Sequence, residues 1–295
     1  MLKIAKILCP VDFSEFSKAA FEYAVSFASR YKAQLWVQHV IEPVTALFTY
    51  ETLPGWRELY AEFRAGAEEA LDELTAVGAA EHVQPETCLQ VGNPADLILK
   101  LARKEAVDLI VMGSHGRRGL DRLLTGSVTE RVLRKAQCPV LAVQKPIHDL
   151  LRRETGQGFA IRKILLPSDF SDHARHALTY ALSMAKEYHA QLTLLHVLEE
   201  IPRDKELPSE TARLVHELEA VLPAGARNGC DIATVVRLGR PYWEIIELST
   251  ESQTDLIVMG GRGRGALDLA VFGSTTYRVL QLSPCPVLSV HSAAL

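Results

Sequence analysis

Two rhythms of apolar residues alternate along this chain. The stretch 4–11 is a nearly unbroken apolar, β-branched run, and after Ser14-Glu15 the apolar positions fall at helical spacing as far as about Tyr31. Such a change of period predicts a strand followed by an amphipathic helix. The same reading places further strands at 35–41, 86–91, 109–112 and 140–144, and helices at 58–77, 94–104 and about 127–135. Strands that alternate with helices predict a parallel sheet covered on both faces, because parallel neighbours need a crossover connection and that crossover is right-handed.

The pattern then starts again. Lys6-Ile-Leu-Cys-Pro-Val-Asp12-Phe-Ser14 returns as Lys163-Ile-Leu-Leu-Pro-Ser-Asp169-Phe-Ser171, and the offset of 157 residues holds from His39-Val40 to His196-Val197 (39 to 196). Asp108-Leu-Ile-Val-Met-Gly113 recurs letter for letter as Asp255-Leu-Ile-Val-Met-Gly260, now at an offset of 147 (113 to 260). The first copy is therefore ten residues longer between those points, and the excess falls in the aperiodic stretch 43–56, a surface loop that serves either as a plain insertion or as a lid or partner surface. A charged, Gly- and Pro-bearing stretch separates the copies. The expected organisation is a first domain at 1–145, a linker at 146–160 and a second domain at 161–295. Its fold class is α/β and Rossmann-like: two tandem open parallel five-stranded sheets of order 3-2-1-4-5 with helices on both faces. In that order the last strands are edge strands and need covering.

Composition narrows the function classes. At 295 residues, 48% hydrophobic and 23% charged, the chain has enough apolar material for two cores. A formal net charge of −4 argues against a nucleic-acid or anionic-membrane surface. No apolar run approaches the roughly 18 residues of a membrane span, and the start of the chain does not read as a signal peptide, so the cytoplasm is the expected compartment. The five cysteines are scattered without CxxC spacing, which favours small packing residues over a disulfide framework or a zinc knuckle. His173 and His176 share a helix face but have no evident third ligand, and no metal is placed there.

In open sheets of this kind, ligands bind beyond the carboxyl ends of the strands. There the first copy offers Gly113-Ser-His115-Gly116 after its fourth strand and, nine residues on, Gly126-Ser127-Val128-Thr129 at a helix start, a G-x2-G-x9-G-S pattern. Taken alone, the glycines serve a chain turn as well as a ligand. Near a phosphate they would allow close backbone approach and positive φ, with free N–H groups and the helix dipole favouring an anion. Asp12, at the end of the first strand, could accept bonds from ribose hydroxyls or help hold a cation. Val40 ends the second strand, where its backbone could meet an adenine edge. His39 and His196 read as hydrogen-bonded core histidines.

With these residues in place, the chain resembles a tandem universal stress protein of the UspA-like family, each copy covering one full family domain. G-x2-G-x9-G-[ST] is that family's ATP-binding signature. The resemblance implies an ATP site lined by Pro10, Val11, Asp12, Val40, Met112, Gly113, His115, Gly116, Gly126, Ser127, Val128 and Thr129. Val40 would meet adenine, Asp12 and Gly113 the ribose, and the remainder the phosphates, with Mg2+ as the companion cation. The second copy keeps Asp169, Val197, Gly260, Gly263, Gly273, Ser274 and Thr276. It has Ser168 for Val11, Gly261-Arg262 for Ser114-His115 and Thr275 for Val128, which implies a different affinity or ligand. Arginines 117, 118, 122, 262 and 264 would flank the phosphates or face solvent. The resemblance also implies that the two last strands pair, making one chain a pseudo-dimer, with further pairing into a homo-dimer.

Competing motifs fail on context. Gly261-Arg-Gly263-Arg-Gly-Ala266 matches a dinucleotide fingerprint in letters but follows the wrong strand, and neither a Walker loop nor a G-x-S-x-G elbow occurs. The expected function is an ATP-binding, stress-response regulator that is not an enzyme, with slow or no hydrolysis, because only His115 or Asp12 could orient a water. The alternative is a protein-interaction scaffold with empty or non-ATP pockets. A transferase of the related adenine-hydrolase-like superfamily would need an S-G-G-x-D-S loop after the first strand, which Phe13-Ser14 and Phe170-Ser171 do not provide.

Overall fold

The computed structural model describes residues 2–42, 56–115, 126–144, 161–200, 206–261 and 273–291. Each half opens with the same strand–turn–helix unit. β1 (Lys6–Val11) leads to α1 (Glu15–Tyr31), whose N-cap Ser14 is extended and accepts the Ser17 N–H on its hydroxyl. β6 (Lys163–Pro167) leads to α5 (Asp172–Tyr188), capped by Ser171 through the Ala174 N–H. Each helix is stopped by a residue in the left-handed region, Lys32 or His189, whose N–H returns to the carbonyl of Ala28 or Ala185.

The first half continues with β2 (Gln34–Ile41), α2 (Trp56–Ala80), β3 (Glu86–Val91), α3 (Pro94–Lys104), β4 (Leu109–Gly113), α4 (Ser127–Lys135) and β5 (Val140–Val143). The second half repeats it with β7 (Gln191–Leu198), α6 (Leu207–Ala220), β8 (Ile232–Leu238), α7 (Pro241–Glu251), β9 (Leu256–Gly260), α8 (Ser274–Leu282) and β10 (Val287–Val290). The stretch 43–55 of the expected loop and the linker 146–160 lie outside the described residues, and Trp56 already begins α2.

Two separate five-stranded sheets were expected; there is one sheet of ten, in the order β3-β2-β1-β4-β5-β10-β9-β6-β7-β8. All pairings within a half are parallel, and the halves join where β5 and β10 pair antiparallel, Leu141 opposite Leu288. The reason is in the last strands themselves. Every residue of β5 and β10 is buried, and as edges they would leave apolar side chains and a row of peptide groups without partners. The edges of the sheet are instead β3 and β8.

The two helical layers cross the junction. One core joins α1, α2, α5 and α6 to one face of the sheet, with Phe21, Phe27, Leu35, Leu71, Ile164, Leu194 and Leu218 buried in it. The other joins α3, α4, α7 and α8 to the opposite face through Leu8, Ile98, Ile110, Val132, Ile245 and Val279. Burial pushes the Cys138 and Cys285 thiols up to about 12, as suits packing residues.

On the first face the seam between halves gathers on Glu187. Its carboxylate accepts the Tyr31 hydroxyl and the Leu2 N–H (3.1 Å), its carbonyl accepts the Arg30 guanidinium, and Arg30 lies 4.1 Å over the Tyr188 ring. On the other face Gln144 Nε2 donates to the Leu280 carbonyl (3.1 Å), and His291 Nε2 lies 2.6 Å from the Leu133 carbonyl. The residue after each last strand thus bonds the last turn of the other half's α4 or α8. Among the described residues no helix is long and apolar enough to cross a membrane.

Candidate functional site

The site assembles where β1 and β4 end and α4 begins. After β1 the chain turns through Phe13, whose φ of 63° is unusual for a bulky side chain. Four contacts hold it there. Asp12 Oδ1 accepts both the Ser14 N–H (3.1 Å) and the Ser14 hydroxyl (2.6 Å), an Asx turn. His39, in register with Val11, places Nδ1 2.7 Å from the Val11 carbonyl and stacks its ring 4.4 Å from Phe13. The second half repeats this with Asp169 Oδ1 and the Ser171 N–H (3.0 Å), Phe170 at φ 63°, and His196 Nδ1 2.8 Å from the Ser168 carbonyl. Both histidines are tied to the end of the first strand of their half.

The end of β4 passes under the first turn of α1. A Cβ at Gly113 would lie 2.9 Å from the Phe16 backbone carbon and from its Cβ; at Gly260 it would lie 2.8 Å from the Cβ of His173. Packing against the helix therefore requires these two glycines. Positive φ does not: neither Gly113 nor Gly260 is in the left-handed region, and Gly126 and Gly273 have φ of −57° and −60°. The positive φ expected from the sequence is thus absent at all four positions, which the packing of the helix start and strand end explains without it.

The start of α4 is tied to the end of β4 by two bonds. Thr129 Oγ1 donates to the Gly113 carbonyl (2.8 Å), and the Gly126 N–H donates to the Ser114 carbonyl (3.0 Å). Thr276 and Gly260 repeat the first at 3.1 Å, Gly273 and Gly261 the second at 3.3 Å. Because the threonine hydroxyl proton is given to a carbonyl, an anion at this helix would meet backbone N–H groups and the Ser127 hydroxyl rather than the Thr129 hydroxyl. The N-cap Gly126 and its counterpart Gly273 supply no side-chain bond to the first turn, which leaves its N–H groups turned outward behind exposed Ser127 and Ser274 and half-buried Val128 and Thr275.

The remaining expected residues fall as follows. Pro10, Val11 and Met112 are buried at the strand ends. Val40 lies in the β2–β3 ladder opposite Gln90, and Val197 opposite Arg237. His115 is buried, with Nδ1 2.9 Å from the Ser114 hydroxyl and its ring 5.0 Å from that of Phe16. Gly116, Gly263 and the five loop arginines lie outside the described residues. Two residues at this end of the sheet escaped the motif reading: His291, against which a Cβ at Gly261 would be tight (3.1 Å to Nε2), and Gln38, a buried amide in β2. Neither belongs to a spacing pattern, and only the pairing of strands brings them here.

The donor set suits a phosphate-bearing ligand: an uncapped helix start, an adjacent hydroxyl and a carboxylate one strand away. Among the described residues no group of three His, Cys, Asp or Glu side chains could hold a metal ion, so a cation here would be carried chiefly by phosphate oxygens and water, with Asp12 as its one nearby carboxylate.

A profile of the Universal stress protein family matches residues 3–144 and again 160–291. Among curated relatives, universal stress protein MJ0531 of Methanocaldococcus jannaschii is 35% identical over 141 residues, covering 48% of this chain and 82% of the relative. Universal stress protein MJ0577 of the same organism is 33% identical over 153 residues, covering 48% and 94%. Each matches about half of this chain. A solved universal stress protein from Archaeoglobus fulgidus aligns over 98% of this chain and 99% of its own, with a TM-score of 0.73 and 26% identity.

Proposed function

Since the chain belongs to the universal stress protein family in both of its halves, we propose that it binds ATP and acts as a nucleotide-dependent stress-response regulator, with slow or no hydrolysis. The observation that carries this reading is the doubled helix start, α4 and α8, each entered through a glycine that offers no side-chain cap and each bonded to the end of the preceding strand. Backbone N–H groups of the first turn would hold the phosphates, with the helix dipole behind them. Asp12 or Asp169 would accept from ribose hydroxyls, and Mg2+ would accompany the phosphates. Occupancy stabilises whichever conformation or assembly binds nucleotide better, and that preference is the regulatory signal.

Slow turnover follows from the two groups that could orient a water. His115 is buried against Phe16 and Ser114, and one oxygen of Asp12 already holds the β1–α1 turn. In this reading the chain is a cytoplasmic protein of two domains, 1–145 and 161–295. It forms an intramolecular pseudo-dimer through its last strands, pairs further into a homo-dimer, and uses neither nucleic acid nor membrane as a partner.

Ser127→Asp and Ser274→Asp test the reading. An acid at the first helical position is favoured by the dipole, so each variant should fold, while a carboxylate beside the phosphates should weaken ATP at its own site by at least about tenfold. Titration calorimetry of the single and double variants reads this directly. Affinities unchanged in the double variant would overturn the assignment, and absence of binding in the unaltered protein would favour the scaffold reading. A valine at Gly113 would serve poorly, because it would strike Phe16 whether or not nucleotide binds.

A further inference from the structure

Resting on the nucleotide reading above, we propose that the two sites are coupled: ATP at one orders the helix that holds ATP at the other, through two crossed hydrogen-bond chains ending on Gln144 and His291. The first chain starts at the entrance to α4. The Gly126 N–H donates to the Ser114 carbonyl (3.0 Å), and the Ser114 N–H donates to the Val143 carbonyl at the end of β5 (2.8 Å). The next residue, Gln144, crosses to the other half, where its Nε2 donates to the Leu280 carbonyl in the last turn of α8 (3.1 Å). The second chain runs the opposite way. The Gly273 N–H donates to the Gly261 carbonyl (3.3 Å) and the Gly261 N–H to the Val290 carbonyl (2.9 Å). His291 follows, with Nε2 2.6 Å from the Leu133 carbonyl in the last turn of α4. A carbonyl only accepts, so Nε2 carries the proton.

Each step of one chain has its counterpart in the other at the offset of 147 residues: 114 and 261, 133 and 280, 144 and 291. The last carbonyls of a helix have no partner within it, and here one carbonyl of each helix takes its donor from the opposite half. These bonds lie in the buried seam, with Gln144 only 9% exposed and the Leu133 and Leu280 side chains sealed, so losing either donor is costly. α4 and α8 have nine residues each, about 13 Å at the usual rise, short enough to move as one rod. Nucleotide would fix the first turn of the rod; the other half fixes the last.

The sign of the coupling follows from what is shared. Phosphates at the start of α4 immobilise Gly126 and its link to Ser114, and that link, through Val143 and Gln144, holds the end of α8. A second nucleotide then meets a helix already ordered and loses less conformational entropy on binding, which is positive cooperativity. Linkage makes the effect mutual. The contacts around Glu187 on the opposite face join α1 to α5 and reach neither phosphate helix, so they hold the halves together without belonging to either chain.

Hydrogen exchange with mass detection tests this on the Ser274→Asp protein, at ATP concentrations that fill only the first site. Exchange of the α8 amides, in the empty half, should slow by about threefold or more, while α7, in the same half but on neither chain, keeps its rate. Gln144→Met, which keeps the side-chain length and removes the donor, should abolish the effect on α8 and leave ATP still slowing α4. The reciprocal arm reads α4 in the Ser127→Asp protein with and without His291→Phe. An α8 unmoved by ATP at the first site would overturn the proposal. Equal slowing of α7 and α8 would mark general stabilisation and overturn it too, as would an effect that survives Gln144→Met. Should that variant not fold, the contrast between α8 and α7 in the Ser274→Asp protein decides the matter. If ATP slows neither α4 nor α8 in any of these proteins and gives no binding heat, the ATP reading itself fails, an outcome distinct from binding without coupling.

Discussion

At Gly113 a methyl group would lie 2.9 Å from the backbone carbon of Phe16, a contact that neither a rotamer change nor a flexible neighbour can relieve. Gly113→Ala should therefore destabilise the apo protein by about 1–3 kcal/mol, as overpacking does elsewhere. Urea unfolding without nucleotide measures it; a loss seen only with ATP present would assign the glycine to the ligand instead. The distinction matters because two roles meet in one residue. The motif marks where a phosphate would approach, and the packing shows that helix α1 needs the same absence of a side chain. The motif was legible at this scale, but only part of its physical basis was: close approach of a phosphate and positive φ were the expected reasons, whereas Gly113 has no positive φ and makes room for a helix. Gln38 was not legible at all, because a glutamine within an apolar strand becomes notable only when its neighbours on two other strands are known.

Among the elements, the β1–turn–α1 unit is nearly duplicated in β6–turn–α5. Ser14 both caps the helix and donates to Asp12, while Asp12 and His39 hold Phe13 in the left-handed region. Removing one hydroxyl loses the cap and loosens that turn, so Ser14→Ala should cost about 1–2 kcal/mol in urea unfolding, with Ser171→Ala costing a similar amount in the second copy. Asp-Phe-Ser, read twice in the sequence, announced this unit, since a short polar residue before an amphipathic run is a helix start. The positions of α3 and α4 were equally plain, each entered at the expected residue. The start of α2 fell two residues earlier than expected and its end three later, because helix ends rest on capping and tertiary contacts more than on period.

For the whole molecule, the seam between halves is polar at one surface and apolar within. Burial, together with its bond to the Glu187 carboxylate, pushes the Tyr31 phenol up, and burial does the same to Tyr188. A phenol whose pKa is higher in the folded protein stabilises fully at pH below its ordinary value. That contribution is lost as pH climbs through the folded value, because the unfolded chain releases the proton first. Stability should accordingly fall above pH about 10, and Tyr31→Phe should flatten that fall. Thermal melts across the alkaline range check it, and identical pH slopes in the two proteins would detach Tyr31 from the effect.

The sequence alone determined the repeat, the order of elements in each copy and the residues of the glycine signature, because period, caps and motif spacing are local and need no partner strand to be read. Tertiary structure decided that ten strands make one sheet, since the buried row of β5 has no preference written in its own four residues and finds its partner only in β10. Tertiary structure also decided which polar atoms are left without a bond. The Gln38 amide N–H finds its acceptor in Gln90, which only the pairing of β2 with β3 brings to its side.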